Sequence, residues 1–535
     1  MLDALAQCAE KRCKNIIIGS SGFAEVGAEG ETFQEKIREI ARRNDLLICG
    51  PNCQGLLNLK APAPVTFSPA LEAKDLVPGP LGYVSQSGAF GYSTFSLGQR
   101  DRVGFRYVVS TGNEAVLDLT DFIEFMLHDE EVRLVAAYAE AIRDRKKLAR
   151  VAELSLESGK PLIFIKVGRS KVGKKASWRH TAADAGNDEV FTGVCQQYGI
   201  LRADDIDEIL NFSTLFAKER KLPPGNRVAI VSTSGGAGVM MVDKCTELGL
   251  EVVELGEGTQ QSLKKFVPSF GTTQNPVDVT AQIIAQPEGF KEALKAVLAD
   301  QAVDVLAILI TMATGPNAEQ FAAEIAEVSA ATEKLIVVSW SANESLLGKA
   351  LELLDQANIP HLQTPVQAAK AIRKLMAYAG SRKSWLAQEK NSLHPPVDPH
   401  GGRRRRVAQW IQENQDLITQ KEGKQLLSWY GISVIDEGMA QRPPESYEFV
   451  LKGENDPQFG PVVMLGMGGE LGEIYQDACY RIAPLWPQQA WEMIAAVRGS
   501  VLLKGGIRRQ KGDAPVLADT IVKFSQMMTE LQGLL

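Results

Sequence analysis

His180 lies in Trp178-Arg179-His180-Thr181-Ala182-Ala183-Asp184-Ala185-Gly186, between a basic, glycine-dotted loop (residues 166–175) and an expected helix start, in a chain with 5 histidines. An imidazole titrates near neutral pH and can act as a nucleophile. It can carry a phosphoryl group where cations and helix N-termini cradle the phosphate. The alternative is a solvated loop histidine. Two candidate N-termini echo each other: Tyr83-Val84-Ser85-Gln86-Ser87-Gly88-Ala89 and Ile230-Val231-Ser232-Thr233-Ser234-Gly235-Gly236-Ala237-Gly238. In each, an apolar run reads as a buried parallel strand, followed by Ser-x-Ser-Gly and a small-residue helical segment. Ser87 and Gly88, with Gly235, Gly236 and Gly238, are the candidates to hold phosphate through backbone N–H groups and a hydroxyl. The plainer reading of either turn is a tight strand-to-helix connection that binds nothing.

A second constellation lies near the C-terminus. Glu473 and Asp477 alternate with apolar residues over residues 471–482, and this spacing predicts one strand carrying both carboxylates, with Arg481 on the same face. Carboxylates beside phosphate oxygens are the usual seat for magnesium. The alternative is the solvent face of an antiparallel sheet. The glycines over residues 466–469 are a weak signal alone.

The elements that must position these groups follow from pattern and length. A chain of 535 residues exceeds one core, so several domains are expected. The early pattern is strand (residues 15–19), helix (31–43) and strand (45–49), the second half of a Rossmann-like sheet with no glycine-rich turn ahead of it, which argues against a nicotinamide enzyme. From about residue 78 to 216, strands at 81–85, 107–110, 132–138 and 161–167 alternate with helices, which predicts a doubly wound parallel sheet. After a short Pro-Gly linker a second such unit runs to about residue 381, with strands near 228–232, 305–310 and 335–339. Prolines and glycines over residues 391–406 rule out a regular element there. The basic run Arg403 to Arg406 reads as a solvated linker.

Composition removes other classes. The net charge of -7 offers no electrostatic case for nucleic acid or an acidic membrane. No apolar run reaches membrane-span length, and residues 1–15 have no signal-peptide core. The 7 cysteines include no C-x-x-C pair, which indicates neither a disulfide framework nor a zinc site and suits a reducing cytoplasm. Cys49 and Cys53 flank a Gly-Pro-Asn loop and read as ordinary buried thiols.

Further motifs occur in a recognisable set: Gly50-Pro51-Asn52-Cys53-Gln54-Gly55, Ser110-Thr111-Gly112-Asn113-Glu114, Tyr138-Ala139-Glu140, Asn275-Pro276-Val277-Asp278 and Asp456-Pro457-Gln458-Phe459-Gly460-Pro461. Together with the two serine-glycine turns and the His180 segment, they resemble the NDP-forming acyl-CoA synthetases of the ADP-forming acetate–CoA ligase type, relatives of succinyl-CoA synthetase. The resemblance implies an α/β chain with a partial Rossmann-like CoA-binding domain (1–75), two flavodoxin-like parallel-sheet ligase domains (76–220, with the His180 loop, and 221–385), a linker (386–415) and a partial ATP-grasp domain (416–535). In the last, residues 419–434 correspond to a helix and strand, and 447–485 to the nucleotide and metal sheet. The longer connection found in the family is replaced here by residues 441–446.

The implied reaction is acyl-CoA + ADP + phosphate ⇌ acid + CoA + ATP, through an acyl phosphate and a phosphohistidine at His180. Glu140 would orient the imidazole; the open alternative is a strand-end carboxylate paired with Arg143. Gly50, Pro51 and Asn52 would lie next to the CoA thiol, or form a simple strand-exit turn. Ala182 replaces a glycine usual in the family, and its methyl restricts a loop that must swing. The implied cofactors are CoA, ATP/ADP and Mg2+. The implied partners are a small carboxylic acid or acyl-CoA, with no nucleic acid and no membrane, and either a second copy or a complementing subunit. The rival reading is a catalytically impaired remnant or subunit that acts as a CoA-ester or phosphate-binding module.

Overall fold

The computed structural model describes the chain except residues 62, 74, 182–184, 219–221, 285–287, 388–401, 414–418, 435–446, 476, 506–511 and 535, and the side chains of 177–181, 288, 411–413, 470, 471, 473 and 504. The contacts divide it into two compact units. One comprises residues 1–139, 151–166 and 201–385; the other comprises 140–150, 167–200 and 386–535. Residues 167–200, expected inside the first ligase domain, therefore group with the C-terminal part.

The first unit holds both expected parallel sheets. In one, the order is Phe105–Ser110, Pro78–Ser85, Leu134–Ala139, Leu162–Lys166, Leu201–Arg202, all parallel. In the other it is Glu251–Val252, Arg227–Ser232, Val305–Thr311, Leu335–Ser341, His361–Leu362, again parallel. Setting aside the short strand Val277–Asp278, which pairs beside the end of Arg227–Ser232, these five strands of each sheet, numbered along the chain, read 2-1-3-4-5, the flavodoxin-like order. The central strands are buried along their length, which is why they read as apolar runs without alternation. The early part forms the parallel pair Asn15–Ile17 and Leu47–Cys49, covered by the helix Ala28–Asn44, as the pattern predicts. The antiparallel hairpin Gly55–Asn58 and Ala63–Thr66 adds to the edge strand Phe105–Ser110, so residues counted with the first domain extend the next domain's sheet.

One long helix and one charge cluster join the two sheets. Along Pro365–Ala387, Lys370 pairs with Glu208 at 2.7 Å, Lys374 donates to Arg202 O at 2.6 Å, and Tyr378 Oη donates to Ser155 O at 3.1 Å. Asp355 of the second sheet's unit accepts a hydrogen bond from His361 Nε2 at 2.9 Å and pairs with Lys218 and, at 3.3 Å, Arg102 from the first. Burial works against the Asp355 carboxylate, but the His361 hydrogen bond and the Lys218 charge outweigh it and hold its pKa well below the usual range. Burial pushes the His361 imidazole down, offset in part by Asp355.

The second unit is built on an antiparallel sheet, Phe449–Asp456, Gly460–Met467 and Ala478–Ile482, packed under the helices Pro487–Ala496 and Ala514–Glu530. The Asp456 carboxylate accepts from Gln458 N and Phe459 N, each at 2.8 Å, and closes the first hairpin. A helix, Gln420–Trp429, starts at Thr419 with a reciprocal Thr419–Glu422 cap; residues 430–434, expected as a strand, form none. The basic run is not linker. Arg403 to Arg406 lie in the helix Gly402–Glu413, and Arg403 binds both oxygens of the buried Glu530 carboxylate while stacking 4.4 Å from the Tyr430 ring centre. Arginine and alanine favour helix once the breakers at 395–401 are passed, and a buried carboxylate supplies the counter-charge. Residues 391–401 themselves lie outside the described residues. Among those described, no helix is long and apolar enough to cross a membrane.

The Asp355 cluster predicts the pH response of the first unit. Both His361 and Asp355 bind protons less readily folded than unfolded, so stability is present above their ordinary pKa values and is lost as pH falls through them. The thermal midpoint is expected to drop between about pH 7 and about pH 5, where an ordinary histidine titrates. His361→Gln should flatten that slope; an unchanged slope in scanning calorimetry refutes the assignment.

Candidate functional site

The two serine-glycine turns fold alike down to individual bonds. The strand Pro78–Ser85 feeds the helix Gly88–Arg100 through Ser87, and Ser85 Oγ donates to Ser87 O at 2.7 Å. The strand Arg227–Ser232 feeds the helix Gly235–Glu247 through Ser234, and Ser232 Oγ donates to Ser234 O at 2.7 Å. In both, the first serine ties down the second residue's backbone, and the second serine does not cap its helix with its hydroxyl. Each turn is also pinned across the sheet. Gln86 N donates to Tyr138 O at 3.1 Å and Thr111 N to Ser85 O at 2.9 Å; Thr233 N donates to Leu309 O at 3.0 Å and Val279 N to Ser232 O at 3.0 Å. These bonds sit at the carboxyl ends of strands one and three, the switch point where α/β sheets bind ligands.

The glycines divide by role. A Cβ on Gly88 would lie 2.7 Å from Gln54 Cγ, so close approach requires glycine. Gly235 and Gly236 are exposed at the helix start, where uncapped N–H groups and the helix dipole favour an anion. Gly238 does not share that role. Its N–H donates to Ser234 O at 3.1 Å and a Cβ there would lie 3.3 Å from Pro276, so it serves packing. A fourth residue in a helix already has an intrahelical acceptor, which the Ser-x-Ser-Gly-Gly-x-Gly spacing does not reveal. Asn275 props up the same sheet, accepting from Ile230 N at 2.9 Å and donating to Val228 O and Val253 O, both at 2.9 Å.

The Gly50, Pro51 and Asn52 loop docks against the loop that follows the strand Phe105–Ser110. Asn113 N donates to Pro51 O at 2.9 Å, Ala115 N to Gly50 O at 3.0 Å, and Asn52 Nδ2 to Asn113 Oδ1 at 3.2 Å. Asn113 Nδ2 in turn donates to Glu25 and Gln34 from the Rossmann-like part. Glu114 is buried, with φ at 58°, and its carboxylate accepts from Thr111 Oγ1 and Leu119 N, each at 2.9 Å, and from Gln86 Nε2 at 2.8 Å. Through Gln86 it couples the Asn52 loop to the first serine-glycine turn. The Ser110-to-Glu114 motif is visible in sequence, but no role for Glu114 or Gln86 is, because their partners are distant in the chain.

The remaining expected residues fall in the second unit. Glu140 directly follows the strand Leu134–Ala139 and is 4% exposed. His180 lies near the end of the helix Lys171–Thr181, and its side chain lies outside the described residues, as do residues 182–184. The basic stretch is thus partly helix, started where Ser170 Oγ accepts Gly173 N at 2.9 Å, not loop throughout. After Gly186, Asn187 caps the helix Asp188–Gln197. Gln197 exchanges two hydrogen bonds with the Ile482 backbone, at 3.0 and 2.8 Å, and Gly193 lets that helix lie against Tyr480 O, 2.1 Å from where a Cβ would be.

The carboxylate pair is corrected. Glu473 lies in a helix, Gly469–Tyr475, and Asp477 precedes the strand Ala478–Ile482. Gly472 permits the helix by packing where a Cβ would meet Met467 O at 2.0 Å. Asp477 accepts from Arg498 N at 2.9 Å and Gly499 N at 2.7 Å, so it holds a turn, and Arg481 donates to Gln196 Oε1 at 2.9 Å. Glu473 and Asp477 therefore do not lie together on one strand, and the Glu473 side chain lies outside the described residues. Among the described residues, no group of 3 or more His, Cys, Asp or Glu gathers to hold a metal.

Comparison with known proteins agrees with this layout. Residues 78–216 match the succinyl-CoA ligase like flavodoxin domain, 228–386 the ligase-CoA domain and 437–534 an ATP-grasp domain. The ADP-forming acetate–CoA ligase I of Archaeoglobus fulgidus is 29% identical over 98% of this chain and 84% of its own length. The alpha subunit of ADP-forming acetate–CoA ligase II of Pyrococcus furiosus is 32% identical over 70% of this chain and 80% of its own. The dinucleotide forming acetyl-coenzyme A synthetase 1 of Ca. Korarchaeum cryptofilum, solved with phosphate and ADP, superposes with a TM-score of 0.65 at 29% identity, over 74% of this chain and 83% of that one. The chain belongs to the ADP-forming acetate–CoA ligase family, whose members are acid–thiol ligases.

Two substitutions test the site's construction. Gly88→Ala is expected to displace Gln54 and lower phosphate-dependent turnover on the order of tenfold, whereas Gly236→Ala, whose Cβ has no neighbour nearer than 4.0 Å, leaves the thermal midpoint unchanged. Glu114→Gln turns an amide N–H toward existing donors and should cost about 1–3 kcal/mol, read from denaturant unfolding. A wild-type midpoint in Glu114→Gln would refute the carboxylate's coupling role.

Proposed function

We propose that the protein interconverts acyl-CoA, ADP and phosphate with a carboxylic acid, CoA and ATP, with His180 carrying the phosphoryl group. The observation that carries this reading is the duplicated turn: two helices begin at switch points with uncapped N–H groups, in a chain of this family. A phosphate oxygen attacks the thioester carbonyl, the CoA thiolate leaves, and an acyl phosphate forms. The His180 ring nitrogen then attacks phosphorus and the carboxylate leaves. ADP accepts the phosphoryl group in the second unit. The two helix N-termini stabilise the negative charge that builds on phosphate oxygens. Ser87, Gly88, Gly235 and Gly236 are the anion donors, and the Gly50, Pro51 and Asn52 loop faces the CoA thiol. Glu140 orients the imidazole and favours its cationic form.

A nucleotide and magnesium belong with the second unit on the likeness to the ATP-grasp domain. We do not assign magnesium to Asp477, whose carboxylate is tied to two backbone N–H groups. The acyl groups of relatives reach beyond acetate: the 4-hydroxybutyrate–CoA ligase of Nitrosopumilus maritimus is 23% identical over 99% of this chain. In Pyrococcus furiosus, the separate alpha and beta subunits of ADP-forming acetate–CoA ligase I match 72% and 16% of this chain, which supports a ligase half able to work apart from the nucleotide half, and assembly with a second copy or a complementing subunit. Seven free cysteines support a cytoplasmic setting.

Incubation with acyl-CoA and radiolabelled phosphate should place acid-labile, base-stable label on the protein. His180→Ala should abolish it, and ADP should chase it into ATP. Label retained in His180→Ala would refute the histidine carrier. Absence of label from wild type, with an acyl-CoA still bound in calorimetry, would favour the binding-module reading.

A further inference from the structure

The charge cluster that joins the two parallel sheets borders a cavity of about 390 Å³. One wall is the carboxyl end of the strands Leu335–Ser341 and His361–Leu362, the edge at which α/β sheets take ligands. The other is the face of the helix Ile206–Lys218 that carries Asp207, Leu210, Asn211 and Thr214, a spacing of three and four that puts them side by side. Arg102, which follows the helix Gly88–Arg100, lies where this cavity meets a second one of about 620 Å³; Thr214 and His361 also line both. No residue of either serine-glycine turn or of the Asn52 loop lines the first cavity.

Some of its polar groups are already engaged. Arg100 binds both oxygens of Asp101, at 2.7 and 3.0 Å, and His361 Nε2 donates to Asp355 at 2.9 Å. Others are not. Among the described residues, the Arg102 guanidinium donates no hydrogen bond and meets only Asp355, at 3.3 Å. Its backbone is left-handed, with φ at 58°, a conformation that residues other than glycine and asparagine rarely hold unless the surroundings fix it. Asp207 from one wall and Glu344 from the other have no ion pair or hydrogen bond among the described residues, and neither do the side-chain amides of Asn211 and Gln363. Leu210, Leu347 and Leu351 supply an apolar floor.

We propose that this cavity is a binding site for a free α-amino acid with an apolar side chain. A simple anion there would face Asp207 and Glu344, and a simple cation would face Arg102. A ligand that carries both charges on adjacent groups satisfies all three. The carboxylate pairs with the Arg102 guanidinium, whose planar fork matches it. The ammonium, with three donors, pairs with Asp207 and Glu344, and the amide oxygens of Asn211 and Gln363 are further acceptors. The side chain covers the leucines. The volume falls in the range of sites that enclose small ligands. An occupant ties the helix Ile206–Lys218 of the first sheet to the edge of the second, and so acts on the joint between two parts that each carry one serine-glycine turn. Binding does not depend on the phosphohistidine reading.

The test uses the full chain with L-leucine as the probe. Titration calorimetry should show binding, and leucine at about ten times its dissociation constant should raise the thermal midpoint by about 2 °C. Two analogues separate the charges: 4-methylpentanoate lacks the ammonium group and 3-methylbutylamine lacks the carboxylate. Each should compete with leucine about tenfold more weakly or worse. Arg102→Gln and Glu344→Gln should each raise the dissociation constant about tenfold or more. Glu344 lies on an exposed turn, so its variant remains informative if Arg102→Gln disturbs the Asp355 cluster. Neither heat nor a midpoint shift at about 10 mM leucine would overturn the proposal. Equal competition by either analogue would overturn the pairing of charges, and wild-type affinity in both variants would overturn the location. His180→Ala should bind leucine as wild type does, so failure of the labelling experiment leaves this site standing.

Discussion

The turns that can hold an anion exist because of backbone hydrogen bonds across two switch points. Gln86 N reaches Tyr138 O and Thr233 N reaches Leu309 O, each linking the residue after strand one to strand three of its own sheet. These bonds spend the donor of the residue between the two serines, just ahead of the helix-starting glycines. A buried N–H without an acceptor costs about 1–3 kcal/mol, so the chain adopts the course that satisfies it. Serine in the first position completes the arrangement by binding the carbonyl two residues on. The flavodoxin-like order brings strand three beside strand one and thereby pins the turn.

Around that frame, buried polar groups serve as couplers. Glu114 gathers Gln86, Thr111 and the Leu119 N–H; Asn113 gathers Asn52, Glu25 and Gln34. Such networks stabilise only when each member is satisfied, and they then specify one arrangement of loops. They join the Rossmann-like part, the Asn52 loop and the first turn through residues scattered over the first 119 positions. In the second unit, Gln197 plays a comparable part by completing the edge of the antiparallel sheet, which fixes the helix that follows the His180 segment.

Much of this was legible in order and kind. The strands near residues 81–85, 228–232 and 305–310 appear where apolar runs predict them, because a strand covered on both faces needs no alternation. The placement of Glu473 and Asp477 on one strand fails because alternation over a short stretch also suits a helix followed by a strand, and glycine at 472 permits the turn. Arg403 read as solvated because Glu530 lies at the other end of the domain's sequence. Gly238 read as an anion donor because spacing does not count intrahelical bonds.

The sequence by itself determined the class of architecture, the family and the chemistry-bearing types: one histidine segment, two serine-glycine turns and an Asn loop. Local pattern suffices for these, since periodicity, turn residues and motif order act over a few residues at a time. Tertiary structure alone decided which donors remain open, which carboxylates are already engaged, and which polar residues couple the loops. Those depend on partners far apart in the chain, such as Glu25 with Asn113 or Asp355 with Lys218, and distance along the sequence carries no record of distance in space.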